Sequence, residues 1–346
     1  MVDQRLSGSC GHRRVGWGLR AVLVNARTLN LFAPFGKRAG CPCKLRPAMR
    51  TIHWMSLGLL VLVLAPIASW APIFDALAPE RIDRESGFPG RPEIPRVLLV
   101  SIDGLAPRFM GERQTPTLAR LGREGLRARL ARTVVPSNTM TSHTSMISGV
   151  PPEIHGVVWN HYQPWRQIEV PTLFDACAAE HLRCGLMAGK RKFAHFAEEE
   201  PGVDRYVFAP DAAAVFEAAL VYLRERRPDF VMIHLAEVDL TGHVHGWGSD
   251  EQRSAIERID GLLGSFIAAA AAEERPLRLL VTADHGGSDT GHGSASKDDA
   301  EIPWILWGHG IRRGVIADEV STLDTAATIA TLLGVEPLGE GISRFP

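Results

Sequence analysis

From Arg96 onward the chain repeats one theme: a short continuous apolar run, a polar loop, then a stretch with apolar residues at helical spacing. Arg96–Ile102 (RVLLVSI) shows no alternation, as expected of a parallel strand buried on both faces. Thr115-Pro116 opens a helix through Glu124, with Thr as N-cap and Pro at the first helical position. Residues 126–135 read as a strand, 172–181 as a helix, 183–187 as a short strand, 211–226 as a helix and Phe230–Leu235 as a strand. Within 254–271, Ile256, Ile259, Leu263, Phe266 and Ile267 recur with helical period. Leu277–Thr282 and 302–307 follow as strands. This alternation predicts an α/β fold, a largely parallel central sheet flanked by helices on both faces, in one domain over 96–346.

The front of the chain departs from that pattern. Residues 1–48 carry nine Lys/Arg, one acidic residue and no periodicity, and read as a basic extension lying upstream of the true start or as a cytoplasmic tail. Met49-Arg50 then precedes an apolar run ending in Ala68-Ser69-Trp70-Ala71, so 49–74 reads as a secretory signal peptide, with an uncleaved membrane anchor as the alternative. Either reading exports the remainder, to a periplasmic or secreted location or an outward-facing anchored one. Residues 75–95, rich in Pro, Asp, Glu and Arg, read as a linker.

The formal net charge of -1 gives no electrostatic case for a nucleic-acid polymer or an anionic membrane surface, so any anionic ligand must be held by local positive charge such as a metal. Thirteen histidines, eleven of them beyond residue 140, are the first hint of one. Cys177 and Cys184 read as two buried thiols; spacing alone does not derive a disulfide between them.

In open α/β sheets, ligands sit beyond the carboxyl ends of the strands. Asp103 directly follows the first strand, Asp239 follows Phe230–Leu235 after a short gap with His243 four residues on, and Asp284-His285 follows Leu277–Thr282. His292 lies between Gly291 and Gly293, in a loop able to fold back. Asp and His supply the oxygen and nitrogen ligands that Zn²⁺ favours, and three of each on one sheet edge suffice for two divalent ions with open positions. Residues 135–149 (VPSNTMTSHTSMISG) crowd hydroxyls just before an expected short helix; one of them would attack an electrophile bound near the helix N-terminus. Composition does not say which.

The motifs Ser-Ile-Asp103-Gly, Pro-Ser-Asn-Thr139-Met-Thr-Ser-His-Thr-Ser-Met-Ile-Ser-Gly, Pro-Glu-Ile-His155-Gly-Val-Val-Trp-Asn160, Asp239-Leu-Thr-Gly-His243 and Asp284-His285-Gly-Gly…His292-Gly occur in order. Together they resemble the type I phosphodiesterase/nucleotide pyrophosphatase branch of the alkaline phosphatase superfamily, across roughly 96–340. The resemblance implies an alkaline phosphatase-like fold and two zinc ions, one held by Asp239, His243 and His292, the other by Asp103, Asp284 and His285. It implies Thr139 as nucleophile bound to the second ion, and Asn160 as donor to a nonbridging phosphate oxygen. Thr141 stands where the family often has Pro and leaves a second hydroxyl nearby.

The implied activity is hydrolysis of a small-molecule phosphodiester or pyrophosphate bond through a phosphothreonine. The alternatives are a phosphomonoesterase or phosphonate hydrolase of the same superfamily, or a non-catalytic envelope protein that keeps the fold. The diester expectation rests on the lack of any cation between Thr139 and Arg166. Lys190-Arg191-Lys192 reads as solvated, with contact to a substrate anion as the rival. His143 and His155 are expected to bond the backbone near the site, and His181, His234, His245 and His309 to be structural or exposed. Trp159, His161, Tyr162, Trp165, Phe193 and Phe196 divide between pocket wall and core.

Overall fold

The sheet is organised around β2 (Arg96–Ile102), whose seven residues are all buried. It lies between β7 (Phe230–Leu235) and β8 (Leu277–Thr282), paired in parallel with both. This computed structural model describes residues 71–198 and 200–345. The expected extension at 1–48 and nearly all of the signal or anchor segment fall outside the described residues; Ala71–Leu77, which begins where they begin, is helical.

Nine strands form the main sheet in the order β1-β6-β5-β7-β2-β8-β10-β3-β11. Here β1 is Arg81–Asp83, β3 Leu126–Ala128, β5 Cys184–Ala188, β6 Val203–Phe208, β10 Trp304–Gly308 and β11 Gly314–Ile316. Neighbours pair in parallel from β6 through β8, while β1 and β10 run antiparallel to theirs, so the largely parallel sheet is observed. The long helix Asp250–Ala271 turns Ile256, Ile259, Leu263, Phe266 and Ile267 into the core, as their spacing requires.

Two local readings need correction. The 126–135 run is not one strand: it breaks into β3 and β4 (Ala131–Arg132), and β4 joins β9 (Glu301–Ile302) and β12 (Val320–Ser321) in a separate three-stranded sheet. Each piece follows its own partners, information that apolar content does not carry. The 75–95 segment is more than a linker, since β1 adds an edge to the main sheet against β6.

Cys177 and Cys184 are joined by a disulfide, not left as thiols, with Cα atoms 6.6 Å apart. It ties the helix Leu173–Ala179 to β5.

Candidate active site and metal centre

Parallel pairing sets the carboxyl ends of β7, β2 and β8 side by side: Ile102 is opposite Leu235, and Ser101 is opposite Thr282. Asp103 is the first residue beyond β2, and its N–H still donates to Leu235 O at 2.9 Å. Asp284 is two residues beyond β8. Asp239 lies in the first turn of the helix Glu237–His245, where His243 follows one turn later. Asp103, Asp284 and His285 are fully buried, and Asp239 is 2% exposed.

The two groups pack backbone to backbone at Gly104, whose φ is +77°. A Cβ there would lie 2.9 Å from Asp239 Cα, so only glycine permits the approach. Trp247 closes this seam, donating its indole N–H to Gly104 O at 3.0 Å.

Six side chains converge. His285 Nε2 lies 3.3 Å from both Asp103 Oδ1 and Asp284 Oδ2. Asp239 Oδ1 lies 3.3 Å from His243 Nε2 and 3.5 Å from His292 Nε2. Asp103, Asp284 and His285 form one set of donor atoms close enough to share an ion, and Asp239, His285 and His292 form another. The second set has His285 where the resemblance places His243; His243 stands at the rim with its side chain 43% exposed.

The rings share one arrangement. Nδ1 of His243, His285 and His292 faces the carbonyl of Thr290, Gly286 and Ser137 at 2.9, 2.8 and 2.7 Å. With Nδ1–H donated to a carbonyl, a neutral ring turns the Nε2 lone pair toward the carboxylates. Buried Asp103 Oδ1, Asp239 Oδ1, Asp284 Oδ2 and His285 Nε2 have no hydrogen-bond partner. Four orphaned acceptors facing one another are costly unless a cation lies among them. The residues therefore fit a divalent metal. Without one, burial opposes a charge on His285, yet Asp284 and Asp103 raise it to about 9. Burial and Asp103 oppose ionisation of Asp239, and Lys190 and His243 outweigh them to keep its carboxyl below the usual range.

Of the hydroxyls in 137–148, most are committed. Ser137 donates to Ser294 O, Ser142 to Asp284 O, Thr144 to Met140 O and Ser148 to Thr144 O, while Ser145 pairs with His155. Thr141 Oγ1 is buried without a partner. Thr139 starts the helix Thr139–Ser148, and its Oγ1 lies 3.4 Å from Lys190 Nζ. That ammonium also reaches Asp103 Oδ2 at 2.5 Å and Asp239 Oδ2 at 2.6 Å, so the Thr139 hydroxyl and the two carboxylates share one cation. The helix N-terminus is less open than expected, because Thr141 N–H donates to its N-cap Asn138 and Met140 N–H to Asn160 Oδ1.

Asn160 Oδ1 also accepts from Lys192 Nζ at 2.9 Å, leaving its amide NH₂ to donate. Lys190 and Lys192 are thus site residues, not solvated ones, and Lys192 is only 7% exposed. Arg191 alone meets the solvated expectation, turning out to Glu80.

His143 holds Thr139 O through Nδ1 at 2.8 Å and meets Ser101 Oγ through Nε2 at 2.8 Å; burial pushes it down to about 3. His155 accepts Val157 N–H at 3.0 Å, as a backbone partner should. His234 was missed as a site residue: fully buried, its Nε2 meets Asp103 Oδ2 at 2.9 Å. The available signal was a lone polar residue one position from the end of the apolar run Phe230–Leu235. Tyr162, Phe193 and Phe196 are core, whereas Trp165 is 59% exposed and packs edge-on to Phe74. His309 is exposed, as expected.

Residues 97–174 and 190–301 match the family described as type I phosphodiesterase / nucleotide pyrophosphatase. The chain is 26% identical over 218 residues to ectonucleotide pyrophosphatase/phosphodiesterase family member 7 of Homo sapiens, a stretch covering 55% of this chain and 47% of that one. It therefore spans about half the length of that relative. Among solved structures it is similar to murine ectonucleotide pyrophosphatase/phosphodiesterase 5, with a TM-score of 0.60 and 16% identity over 71% of this chain and 97% of that one. It is also similar to a 2-O GAG sulfatase, with a TM-score of 0.55 and 17% identity over 72% and 73% of the two chains. At those identities the structures speak for a shared alkaline phosphatase-like fold.

Proposed function

The chain belongs to the type I phosphodiesterase / nucleotide pyrophosphatase family, and we propose that it is a metal-dependent hydrolase of small-molecule phosphoesters, of the phosphodiester or pyrophosphate class, working through a covalent phosphothreonine on Thr139. The observation that carries this reading is the Thr139 hydroxyl on the same ammonium as Asp103 and Asp239, which belong to two carboxylate–imidazole groups with orphaned acceptors.

Asp103, Asp284 and His285 would hold one divalent ion, in contact with Thr139, and Asp239, His243 and His292 the other, with His285 between them. The mixed carboxylate and imidazole donors suit Zn²⁺. Such ions supply Lewis-acid charge at the attacking and leaving oxygens. The chain's own residues do the rest. Thr139 Oγ1, its proton given up to solvent, forms the new bond to phosphorus as the bond to the leaving oxygen breaks; water then attacks phosphorus, breaking the bond to Thr139 Oγ1, which takes a proton back. His143 fixes the Thr139 carbonyl and so the first turn that aims the hydroxyl. Asn160, its oxygen tied to Met140 N–H and Lys192, presents its amide to a nonbridging oxygen as a preorganised donor. His234 fixes Asp103 from behind.

Export fits this reading, since a disulfide such as Cys177–Cys184 persists in oxidising compartments. Among the described residues no helix is long and apolar enough to cross a membrane. The test is chemical: zinc-loaded protein is given a p-nitrophenyl phosphoester, quenched during turnover and digested. Phosphate recovered on Thr139 supports the reading; turnover with the label on Thr141, or no turnover of any phosphoester, sinks it.

A further inference from the structure

We propose that the face built by the helix Ala71–Leu77 and residues 154–165 docks on a lipid bilayer and holds the site beside the lipid surface. The inference goes beyond the phosphoester reading and does not depend on it.

The helix Ala71–Leu77 (APIFDAL) has one polar side chain, and that one is spent on the protein. Asp75 Oδ1 accepts Tyr162 N–H at 2.7 Å, and its Oδ2 lies 3.6 Å from His161 Nδ1. The residues the helix exposes are Pro72, Ile73, Ala76 and Leu77, all apolar. A helix on a water-facing surface carries polar residues on that side. Ile73 and Leu77 are one turn apart and share a face, with Leu77 65% exposed.

The apolar surface continues across the next segment. Ile154, Val158 and Trp165 are exposed, so five of the eleven exposed large apolar side chains among the described residues fall in 73–77 and 154–165. The Asp75–Tyr162 hydrogen bond and the edge-on Phe74–Trp165 contact, 4.8 Å between centroids, join the two segments. Trp165 in turn lines one open cavity with His155 and Trp159. Apolar groups joined in this way form a patch, not the scattered exposure that every surface shows.

The sequence leading to the helix says what covers that patch. No formal charge occurs between Arg50 and Asp75, and the apolar run from Met55 ends on Ala71, the first residue of this helix. A charge-free stretch of that length suits the thickness of a bilayer, and it delivers the chain directly to the patch. At the rim stand Trp165 and Arg166, whose guanidinium lies 4.6 Å over the Trp159 ring. Tryptophan and arginine with an apolar body and a polar tip suit the headgroup level. The net charge of -1 leaves apolar contact, not attraction to anionic lipid, to supply the affinity. Asn160 is two residues from Tyr162, at most about 7 Å of chain, so docking keeps its loop at the lipid surface.

The test takes the chain as isolated from its own host, in phosphatidylcholine vesicles whose acyl chains carry bromine near the headgroups, a contact quencher of indole. Trp165 emission, read as the difference between the protein and Trp165→Phe, should fall about twofold or more, as for a side chain at the headgroup–acyl boundary. Trp307 emission, read in the same way, should not change. Ile73→Gln combined with Leu77→Gln should lower the docked-to-free ratio about tenfold or more, the scale of withdrawing such side chains from lipid. Its Tm should match the parent's, because both positions are exposed. Added salt should leave docking unchanged. Trp165 quenched no more than Trp307, or a double variant that docks as well as the parent, overturns the proposal. Leu77→Cys joining a second chain on oxidation while Trp165 stays unquenched would give the face to another copy, and overturns it too. None of these readouts uses turnover, so a failure of the proposed reaction leaves them intact.

Discussion

At one side of the site, Asp103, Asp284 and His285 leave the ends of adjacent central strands and are fully buried. At the other, Asp239 and His243 come from a helix that starts beyond β7, His292 comes from a glycine-flanked loop, and the His243 ring is 43% exposed. The strand-end group is continuous with the core, so its side chains and the fold are one cooperative structure. The helix-and-loop group is held by hydrogen bonds at its margins, so it can change occupancy or shape without unfolding the sheet.

The strongest way to probe the comparison is at the point both groups share. Thr139→Ala should lower kcat by at least about 10⁴-fold, the scale of losing a covalent nucleophile, with bound zinc unchanged by elemental analysis. Thr141→Ala should retain most activity; a dead Thr141→Ala beside a live Thr139→Ala would exchange their roles.

Next come the two imidazoles. His285→Ala leaves Asp103 and Asp284 buried against each other and should destabilise the chelated protein by about 3–5 kcal/mol in urea unfolding. His243→Ala, at an exposed rim, should stay within about 1 kcal/mol and weaken zinc retention instead. Equal unfolding losses would erase the distinction between the groups.

His234→Ala tests the strand-end group from behind. It removes the partner of Asp103 Oδ2, and zinc affinity or kcat should fall about 10–100-fold, as for other residues that orient a ligand. A change below about threefold would mean Asp103 is aligned without it.

The last expected effect is a pH slope. Burial lowers His155 to about 4 from an ordinary 6.5, so the folded state resists a proton that the unfolded chain accepts. Its contribution is complete above pH 6.5 and is lost as pH falls toward 4. His155→Gln should flatten that part of the stability curve; an unchanged slope would put the acid sensitivity elsewhere.

The convergence of the acidic and histidine side chains was legible because residue type and the strand-end rule act on short sequence distances: Asp103 and Asp284 follow apolar runs that could only be central strands. The lysines were not. Whether Lys192 is buried depends on Asn160, thirty-two residues away, and a charge run gives no sign of which member turns inward. β1 escaped notice because three residues on a sheet edge carry no hydrophobic period. The division of 126–135 escaped because two sheets compete for one run, and its outcome lies in β10, β11, β9 and β12.

Gly104 carries a consequence of a different kind. Since its missing methyl group lets Asp103 and Asp239 come together, the separation of the two carboxylate–imidazole groups is inherited through a position with no side chain. In a random-mutagenesis screen, Gly104→Ala should score with substitutions of Asp103 and Asp239 while the protein still accumulates in the cell. A sequence comparison that weighed only chemically active side chains would pass over that residue.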